Sequence, residues 1–275
     1  MPILQAIVLG VVQGLAEFLP ISSSAHLALV PWLFGWEDPG LAFDVALHWG
    51  TLVAVVAVFW RDWLRLLSAA LASIRERKIG GDPDRRLFWA LVVSAIPAAI
   101  VGKLLDHWAE ENLRAPLLIA ATLAVMGVLL WICDRVGSKT RKLDEMTLPR
   151  AATIGVAQAL ALVPGVSRSG ATISVGLLQG FTRGDIARFS FLMSTPIIFG
   201  AGVLKLPKML HEMGSGESHV TWAALGAGFV AAAIVGTAVI RWILAYLRTR
   251  SYAVFAIYRL AVAAGIVALW MSGKR

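Results

Sequence analysis

The sequence predicts an all-α polytopic membrane protein with six transmembrane helices, two re-entrant helix–loop–helix hairpins and an inverted-topology internal repeat. The amino-acid composition indicates a membrane protein, because 58% of the 275 residues are hydrophobic and only 15% are charged. A soluble domain is nearer to half apolar and a quarter charged, since its surface has to be charged. The apolar residues are also grouped into stretches that are long enough to cross a bilayer.

Six stretches are predicted to span the membrane. Each supplies close to the roughly 20 apolar residues that a helix needs to cross about 30 Å of hydrocarbon. They are residues 41–60, 87–105, 115–133, 185–204, 221–240 and 252–271. The single cysteine, Cys133, ends the third span, so a disulfide framework and a cysteine-ligated metal are both excluded.

Two further apolar stretches, 3–34 and 151–181, are interrupted in the middle. The first is broken by LPISSS at residues 19–24, and the second by VPGVSRSG at residues 163–170. Broken backbone at membrane depth is tolerated only inside protein or against a wet cavity. We therefore expect both stretches to fold as re-entrant hairpins.

The two broken stretches are alike, and their likeness defines an internal repeat. A shift of 145 residues aligns GVVQGLA at residues 10–16 with GVAQALA at residues 155–161. The first repeat then covers residues 1–134, a linker covers 135–150 and the second repeat covers 151–275. Each repeat contains one hairpin and three spans. Because three is an odd number, the second repeat is expected to be inverted relative to the first.

The distribution of Lys and Arg predicts the orientation. If the spans alternate, 17 of the 25 basic residues fall on one side, in 61–86, 134–150, 183–188 and 241–250, which are read as loops. The other side has Arg114, Lys205, Lys208, Lys274 and Arg275, and residues 1–40 contain neither Lys nor Arg. By the positive-inside rule, the basic side is cytoplasmic. The net charge of +8 thus reflects topology, and nucleic acid is not expected as a partner.

Polar groups, which are costly inside a bilayer, cluster on the two hairpins. Gln13 and Glu17 are four residues apart on one helical face before the first break. The breaks are followed by Ser22, Ser23, Ser24 and His26 in one hairpin and by Ser167, Arg168, Ser169 and Thr172 in the other. Helix starts present free N–H groups and a positive dipole end. Serines at helix starts often serve only as N-caps. Capping does not explain why Arg, His and Glu lie at the same depth, so we expect an anion site that suits phosphate.

Two of these motifs resemble signatures of the undecaprenyl-diphosphate phosphatase family, which is also known for bacitracin resistance. Gln13 and Glu17 fit Glu/Gln-x-x-x-Glu, and PGVSRSGAT at residues 164–172 fits PGxSRSxxT. The resemblance covers the whole chain in length, span pattern and motif order. It implies hydrolysis of undecaprenyl diphosphate to undecaprenyl phosphate, which recycles the lipid carrier for cell-wall synthesis. It also implies a divalent cation and an active site on the extracytoplasmic side of the bacterial inner membrane.

Four residues are the expected catalytic group: Glu17, Ser23, His26 and Arg168. Arg168 is expected to grip phosphate with two N–H groups. Ser23 is expected to attack phosphorus in line after activation by His26, three residues later. A phosphohistidine at His26 and a directly activated water stay open as alternatives. Expected substrate-binding residues are Gln13, Ser22, Ser24, Ser167, Ser169 and Thr172.

The charge of the substrate predicts a metal ion. A diphosphate carries at least two negative charges, and only Arg168 and a protonated His26 oppose them. We therefore expect a divalent cation, Mg²⁺ or else Ca²⁺, held by Glu17 and phosphate oxygens. Gln13 is the second expected ligand, although an amide there leaves the motif with one anionic ligand and the binding mode open.

Other features have two interpretations each. Asp44 and His48 at the start of a span fit a structural pair or a supporting role at the site. Arg259, inside the last span, fits buried ion-pair or carbonyl partners, or a substrate contact.

The architecture also fits a transporter or flippase of a lipid phosphate or small anion, since such carriers use inverted repeats with broken helices. A polyprenyl diphosphate and membrane lipids are the expected partners, and a homodimer stays open.

Overall fold

The computed structural model describes the backbone of residues 1–113, 115–215 and 219–273, and their side chains except those of 41 and 106–112. Within these ranges it contains eleven α-helices and no β-strand. The helices are α1 (Ile3–Ala16), α2 (Ser23–Phe34), α3 (Leu41–Val58), α4 (Trp60–Glu76), α5 (Pro83–Asn112), α6 (Pro116–Val136), α7 (Leu148–Ala159), α8 (Arg168–Leu178), α9 (Arg183–Gly214), α10 (Trp222–Tyr246) and α11 (Ala253–Met271). Arg114, Lys274 and Arg275, which the charge count assigns to the less basic side, lie outside the described residues.

Five of the described helices are long and apolar enough to cross a membrane. They are Pro83–Leu105 within α5, and all of α6, α9, α10 and α11. Helices α3 and α4 taken together are also long and apolar enough to cross a membrane, but the chain bends by 80° between them. The protein is therefore an all-helical, multi-pass membrane protein, and each of the six predicted spans falls on a helix.

The bend after α3 corrects the predicted topology of this region. The span expected at 41–60 ends at Val58, and the expected loop at 61–86 begins with a helix, α4. The buried face of α4 includes Leu66 and Ala70. Its exposed apolar residues recur with a helical period: Trp60, Leu64, Leu67, Leu71 and Ile74. Such an amphipathic helix suits the membrane interface. The sequence analysis predicts a loop here because it counts the cations of residues 61–86 for topology, and such a count takes no account of helical period.

Each broken stretch folds into two helices joined by a turn, α1 with α2 and α7 with α8. The caps of α2 and α8 are the serines that the repeat aligns, Ser22 and Ser167. Both have positive φ, 77° and 72°, which L residues rarely adopt. Each Oγ accepts a hydrogen bond from the N–H three residues later, from Ala25 at 3.4 Å and Gly170 at 3.1 Å. The two breaks therefore share one local structure.

Small residues bring the broken segments close to the long helices. A Cβ on Gly14 of α1 would lie 2.9 Å from the carbonyl oxygen of Ala232 in α10. A Cβ on Gly155 of α7 would lie 2.9 Å from the carbonyl carbon of Ser94 in α5. Membrane helices pack through such contacts, because lipid supplies no hydrophobic drive between them. The glycines thus hold α1 against α10 and α7 against α5.

The boundaries of the expected linker differ slightly from the helix ends. Helix α6 continues to Val136 and α7 begins at Leu148, so both reach into residues 135–150.

Candidate active site

The turns of the two hairpins lie against each other. The N–H of Gly165 donates to Oγ of Ser22 at 3.2 Å, and Oγ of Ser169 donates to the carbonyl of Leu19 at 3.1 Å. The second hairpin therefore donates both hydrogen bonds, and the first accepts both. These bonds bring the first residues of α2 and α8 to one polar junction.

Arg259 of α11 ties the two turns together and is fully buried. Its Nη1 donates to the carbonyl of Pro20 at 3.0 Å, in the first turn. Its Nη2 donates to the carbonyls of Gly165 at 2.5 Å and Val166 at 3.2 Å, in the second. Its Nε donates to the carbonyl of Leu123 at 3.2 Å. Of the interpretations left open by the sequence, the structure shows carbonyl partners.

Glu17 is the centre of the junction and is only 5% exposed. Its Oε2 accepts hydrogen bonds from Oγ of Ser23 at 2.6 Å and from Nε2 of Gln13 at 3.1 Å. Its Oε1 accepts from Nη2 of Arg168 at 3.3 Å. The last contact joins residues that are 151 positions apart. Glu17, Ser23 and Arg168, three of the four expected catalytic residues, are thus in direct contact.

The neighbouring Phe18 anchors this end of α1. It is fully buried and packs edge-to-face on Phe191 of α9, with ring centroids 5.4 Å apart. An apolar side chain next to the carboxylate thereby fixes the direction in which Glu17 leaves the helix. The position of the carboxylate is set by packing as well as by its ion pair.

Arg168 spans from the junction to α9. Its Nη1 donates to the carbonyl of Ser190 at 2.8 Å, while Oγ of Ser190 lies 2.7 Å from Oγ1 of Thr172. The side chain is 12% exposed. A guanidinium has five N–H donors, and Nε of Arg168 has no hydrogen-bond partner among the described residues. Donors beyond those used here therefore remain for an added anion.

His26 does not contact Ser23. Its Nδ1 lies 2.7 Å from the carbonyl of Ser22, and because a carbonyl only accepts, Nδ1 carries the proton. Its Nε2 lies 2.7 Å from the hydroxyl of Tyr258 in α11, and the two rings stack. The expected Ser23–His26 pair is replaced by Ser23–Glu17 and His26–Tyr258. The reason is a partner on α11, which residue spacing within α2 cannot reveal.

His48 joins the site from α3. Its Nδ1 donates to the carbonyl of Asp44 at 2.7 Å, so the backbone of α3 orients the ring. Its Nε2 lies 3.8 Å from Oε2 of Glu17, and its side chain is 34% exposed. The i,i+4 spacing of Asp44 and His48 drew attention in the sequence, but only the structure places His48 beside Glu17.

The six expected substrate-binding residues all lie at or beside the junction. Ser22 and Ser167 cap helices, and the Oγ of each lies 3.2 Å from the Oγ of the serine two positions later, Ser24 and Ser169 respectively. Ser24 is the one member of the six that is exposed. The others are buried and are hydrogen-bonded inside the protein, so their first role is to hold the junction together.

The pair Glu17 and Gln13 is the part of the site that would suit a metal ion. In the described part of the chain, no three His, Cys, Asp or Glu side chains group together as metal ligands. Gln13 is fully buried, and its Oε1 has no hydrogen-bond partner among the described residues. Its amide nitrogen contacts Glu17, so a carboxylate and an unused amide oxygen are neighbours. Mg²⁺ commonly takes one or two protein oxygens with phosphate and water, and this pair fits that need.

Known proteins match the chain along almost its full length. The family model of the bacitracin resistance protein BacA matches residues 6–265. The undecaprenyl-diphosphatase of Moorella thermoacetica is 54% identical over 271 residues, 98% of this chain and 98% of that protein. The undecaprenyl-diphosphatase of Desulforudis audaxviator is 47% identical over 265 residues, 96% of this chain and 97% of that one. That of Gemmatimonas aurantiaca is 49% identical over 267 residues, 97% of each chain.

Proposed function

Because this chain belongs to the bacitracin resistance protein BacA family, we propose that it is a membrane phosphatase that hydrolyses undecaprenyl diphosphate to undecaprenyl phosphate and inorganic phosphate. This activity recycles the lipid carrier for cell-wall synthesis and gives resistance to bacitracin. One observation carries the proposal: Ser23, Glu17 and Arg168, from two distant hairpins, are in contact at one junction. They supply a nucleophile, a base and a cation.

Ser23 is the proposed nucleophile and Glu17 its base. The hydroxyl of Ser23 already donates to Oε2 of Glu17 at 2.6 Å, so the carboxylate is placed to take the proton as Oγ attacks the terminal phosphorus. The bond from phosphorus to the bridging oxygen breaks, and undecaprenyl phosphate leaves. Water then attacks the phosphoserine, and Oγ recovers its proton from Glu17 as inorganic phosphate departs.

The positive groups of the junction stabilise the transferring phosphoryl group. Arg168 has N–H donors beyond its bonds to Glu17 and Ser190, and those can meet the equatorial oxygens. The starts of α2 and α8 add the partial positive charge of helix N-termini. His26, whose ring nitrogens are engaged by Ser22 and Tyr258, has a positioning role in this scheme.

A divalent cation is part of the proposal, Mg²⁺ first and Ca²⁺ second. Glu17 and Gln13 would hold it together with phosphate oxygens, since these are hard oxygen ligands. When bound, it would neutralise charge on the diphosphate.

The proposed architecture has two re-entrant hairpins in repeats of opposite orientation, 1–134 and 151–275. Helices α1 and α2 have 14 and 12 residues, which reach only about 21 and 18 Å at 1.5 Å per residue. Both are too short to cross about 30 Å of hydrocarbon. The matching serine caps and the equivalent packing of α1 on α10 and α7 on α5 support the repeat.

The proposed site opens to the extracytoplasmic side of the bacterial inner membrane. Support comes from residues 1–40, which hold the first hairpin and contain no Lys or Arg, and from the basic residues that flank the second hairpin. The prenyl tail would leave sideways between helices into the lipid.

Phosphate release by the purified protein in detergent tests the proposal. Polyprenyl diphosphate should yield inorganic phosphate, and a radiolabelled terminal phosphate should transiently label the wild-type enzyme but not Ser23→Ala. Label on His26 would indicate a phosphohistidine, and turnover without any label would indicate direct attack by water. A protein that releases no phosphate but moves a lipid phosphate between leaflets would be a flippase instead.

A further inference from the structure

A polar cavity lies between the start of α9 and the end of α10. It has a volume of about 440 Å³ and shares no lining residue with the Glu17 junction. Ser190, which holds Arg168, is seven residues beyond Arg183, about 10 Å along the same helix. The cavity is lined by four cationic side chains: Lys139, Arg183, Arg188 and Arg248.

Two of these cations are paired with carboxylates. Nε of Arg183 lies 2.6 Å from Oδ1 of Asp134, and Nη2 of Arg188 lies 2.6 Å from Oδ1 of Asp62. The one lining carboxylate, Asp185, accepts a hydrogen bond from Thr182 at 2.6 Å. Four cations against these three carboxylates leave the cluster with one positive charge in excess.

The other two cations, Lys139 and Arg248, have no acidic partner in the described part of the chain. Nζ of Lys139 donates to the carbonyls of Asp134 at 2.7 Å and Gly137 at 2.5 Å. Within residues 1–113, 115–215 and 219–273, no carboxylate lies within 4.0 Å of Lys139 or Arg248. An anion of single charge in the cavity would therefore meet an excess of positive charge that the protein does not balance itself.

The backbone at the start of α9 is also open to an anion. Apart from its two chain neighbours, no residue places an atom within 4 Å of a Cβ built on Gly184. Gly184 is in the first turn of α9, where N–H groups point out of the helix and the dipole is positive. Thr182 already accepts from the N–H of Asp185, so the N–H groups of Arg183 and Gly184 are those left in this turn for an anion.

The opposite wall is apolar and lies beside an aromatic pair. Leu244 of α10 and Leu247, which caps the end of that helix, line the cavity. On the same helix, Trp242 is half exposed and stacks on Tyr246 with ring centroids 5.1 Å apart. Trp and Tyr concentrate at the headgroup level of membranes. The cavity thus combines a cationic wall with an apolar wall at the depth where lipid headgroups lie.

We propose that this cavity binds the phosphodiester headgroup of an anionic phospholipid. A phosphodiester carries a single negative charge, which matches the excess charge of the cluster. Its oxygens contact Lys139, Arg248 and the first turn of α9, and its glycerol and upper acyl chain lie along Leu244 and Leu247. A free phosphate offers the same oxygens but uses no apolar wall, so lipid is the assigned occupant.

Lipid binding by delipidated protein tests this assignment. Native mass spectrometry should show bound phosphatidylglycerol on the wild type and about tenfold less on Lys139→Gln/Arg248→Gln, because two charge-assisted contacts are lost. Phosphatidylcholine should bind weakly and equally to both. The matched control is Arg241→Gln/Arg250→Gln, which removes two exposed cations of the same region that do not line the cavity. It should retain phosphatidylglycerol as the wild type does.

Three outcomes would overturn the proposal. The first is that the wild type and the cavity variant retain phosphatidylglycerol equally. The second is that the cavity variant and the control variant lose it to the same extent. The third is that inorganic phosphate displaces the lipid when both are present at equal concentration. The single variant Arg248→Gln, at an exposed residue, repeats the measurement if the double variant does not fold. Phosphate release from polyprenyl diphosphate should stay within about twofold of wild type in every folded variant, since no catalytic group is touched.

Discussion

Oγ of Ser23 donates a hydrogen bond of 2.6 Å to Oε2 of Glu17. The two residues lie on opposite sides of the first break, so the turn itself assembles a hydroxyl and a carboxylate. On the other oxygen of Glu17, Arg168 supplies the opposite charge from the second hairpin. This arrangement makes Glu17 the group on which proton transfer and charge balance both depend.

Ser23→Ala and Glu17→Gln should each lower kcat for phosphate release by at least about 10²-fold, because one removes the nucleophile and the other the base. Phosphate release from polyprenyl diphosphate in detergent measures this. Ser272→Ala is the control, since Ser272 is an exposed serine at the end of α11 and its hydroxyl donates to the carbonyl of Leu269, away from the junction. Activity of Ser23→Ala within about threefold of wild type would show that Ser23 is not the nucleophile, and the labelling experiment would then distinguish His26 from water.

Arg168→Ala should lower kcat by on the order of 10²-fold or more, through loss of charge stabilisation on the transferring group. Arg168→Lys should also be poor, because an ammonium does not reproduce the planar fork. Arg188→Lys, on the neighbouring helix and away from the junction, serves as control. Circular dichroism of each variant checks that the helices are intact, and wild-type activity in Arg168→Ala would contradict the assignment.

Chelation of divalent cations should abolish phosphate release, and added Mg²⁺ should restore it. Gln13→Glu should lower the metal concentration needed for half-maximal activity, because it adds a second carboxylate beside Glu17. Titration of Mg²⁺ into chelator-treated wild type and Gln13→Glu provides the comparison. Turnover that persists in chelator would show that the junction works without a metal.

Arg259→Met should destabilise the protein by on the order of 3 kcal/mol, because four buried carbonyls lose their donor. Thermal unfolding in detergent measures the loss. Arg259→Lys should recover part of the stability, since one ammonium reaches fewer carbonyls. Arg85→Met removes an arginine at a surface ion pair and is the control. An unchanged Tm for Arg259→Met would mean that the turns hold together without it.

Ser24→Cys in a Cys133→Ala background should react with a membrane-impermeant thiol reagent added outside intact cells, if the site opens outward. Ser22→Cys is the matched control, because Ser22 is only 1% exposed and should stay unlabelled. Phosphate release by each variant checks that the site is formed. Reaction of Ser24→Cys only in inverted vesicles would place the opening on the cytoplasmic side.

The prediction from sequence is most accurate where local composition decides the structure. The spans follow from apolar runs, and the breaks follow from proline together with neighbouring serine or glycine, since single prolines such as Pro97 and Pro196 lie inside helices. The serine caps Ser22 and Ser167 also follow, because capping is decided within a few residues. The prediction is wrong for the segment after Val58, because a charge count assigns it to a loop while its apolar residues form one face of α4; only the structure shows the 80° bend between α3 and α4.

The sequence by itself therefore determined that this is a membrane protein, where its apolar spans and two breaks lie, and that Glu17, Ser23 and Arg168 belong beside those breaks. Tertiary structure decided which of these groups touch. Ser23 bonds to Glu17 and not to His26, His26 bonds to Tyr258 232 residues away, and Arg259 bonds to Pro20 239 residues away. The physical reason is that a side chain takes the partner that helix packing brings within about 3 Å, and residue spacing reports only neighbours on the same helix.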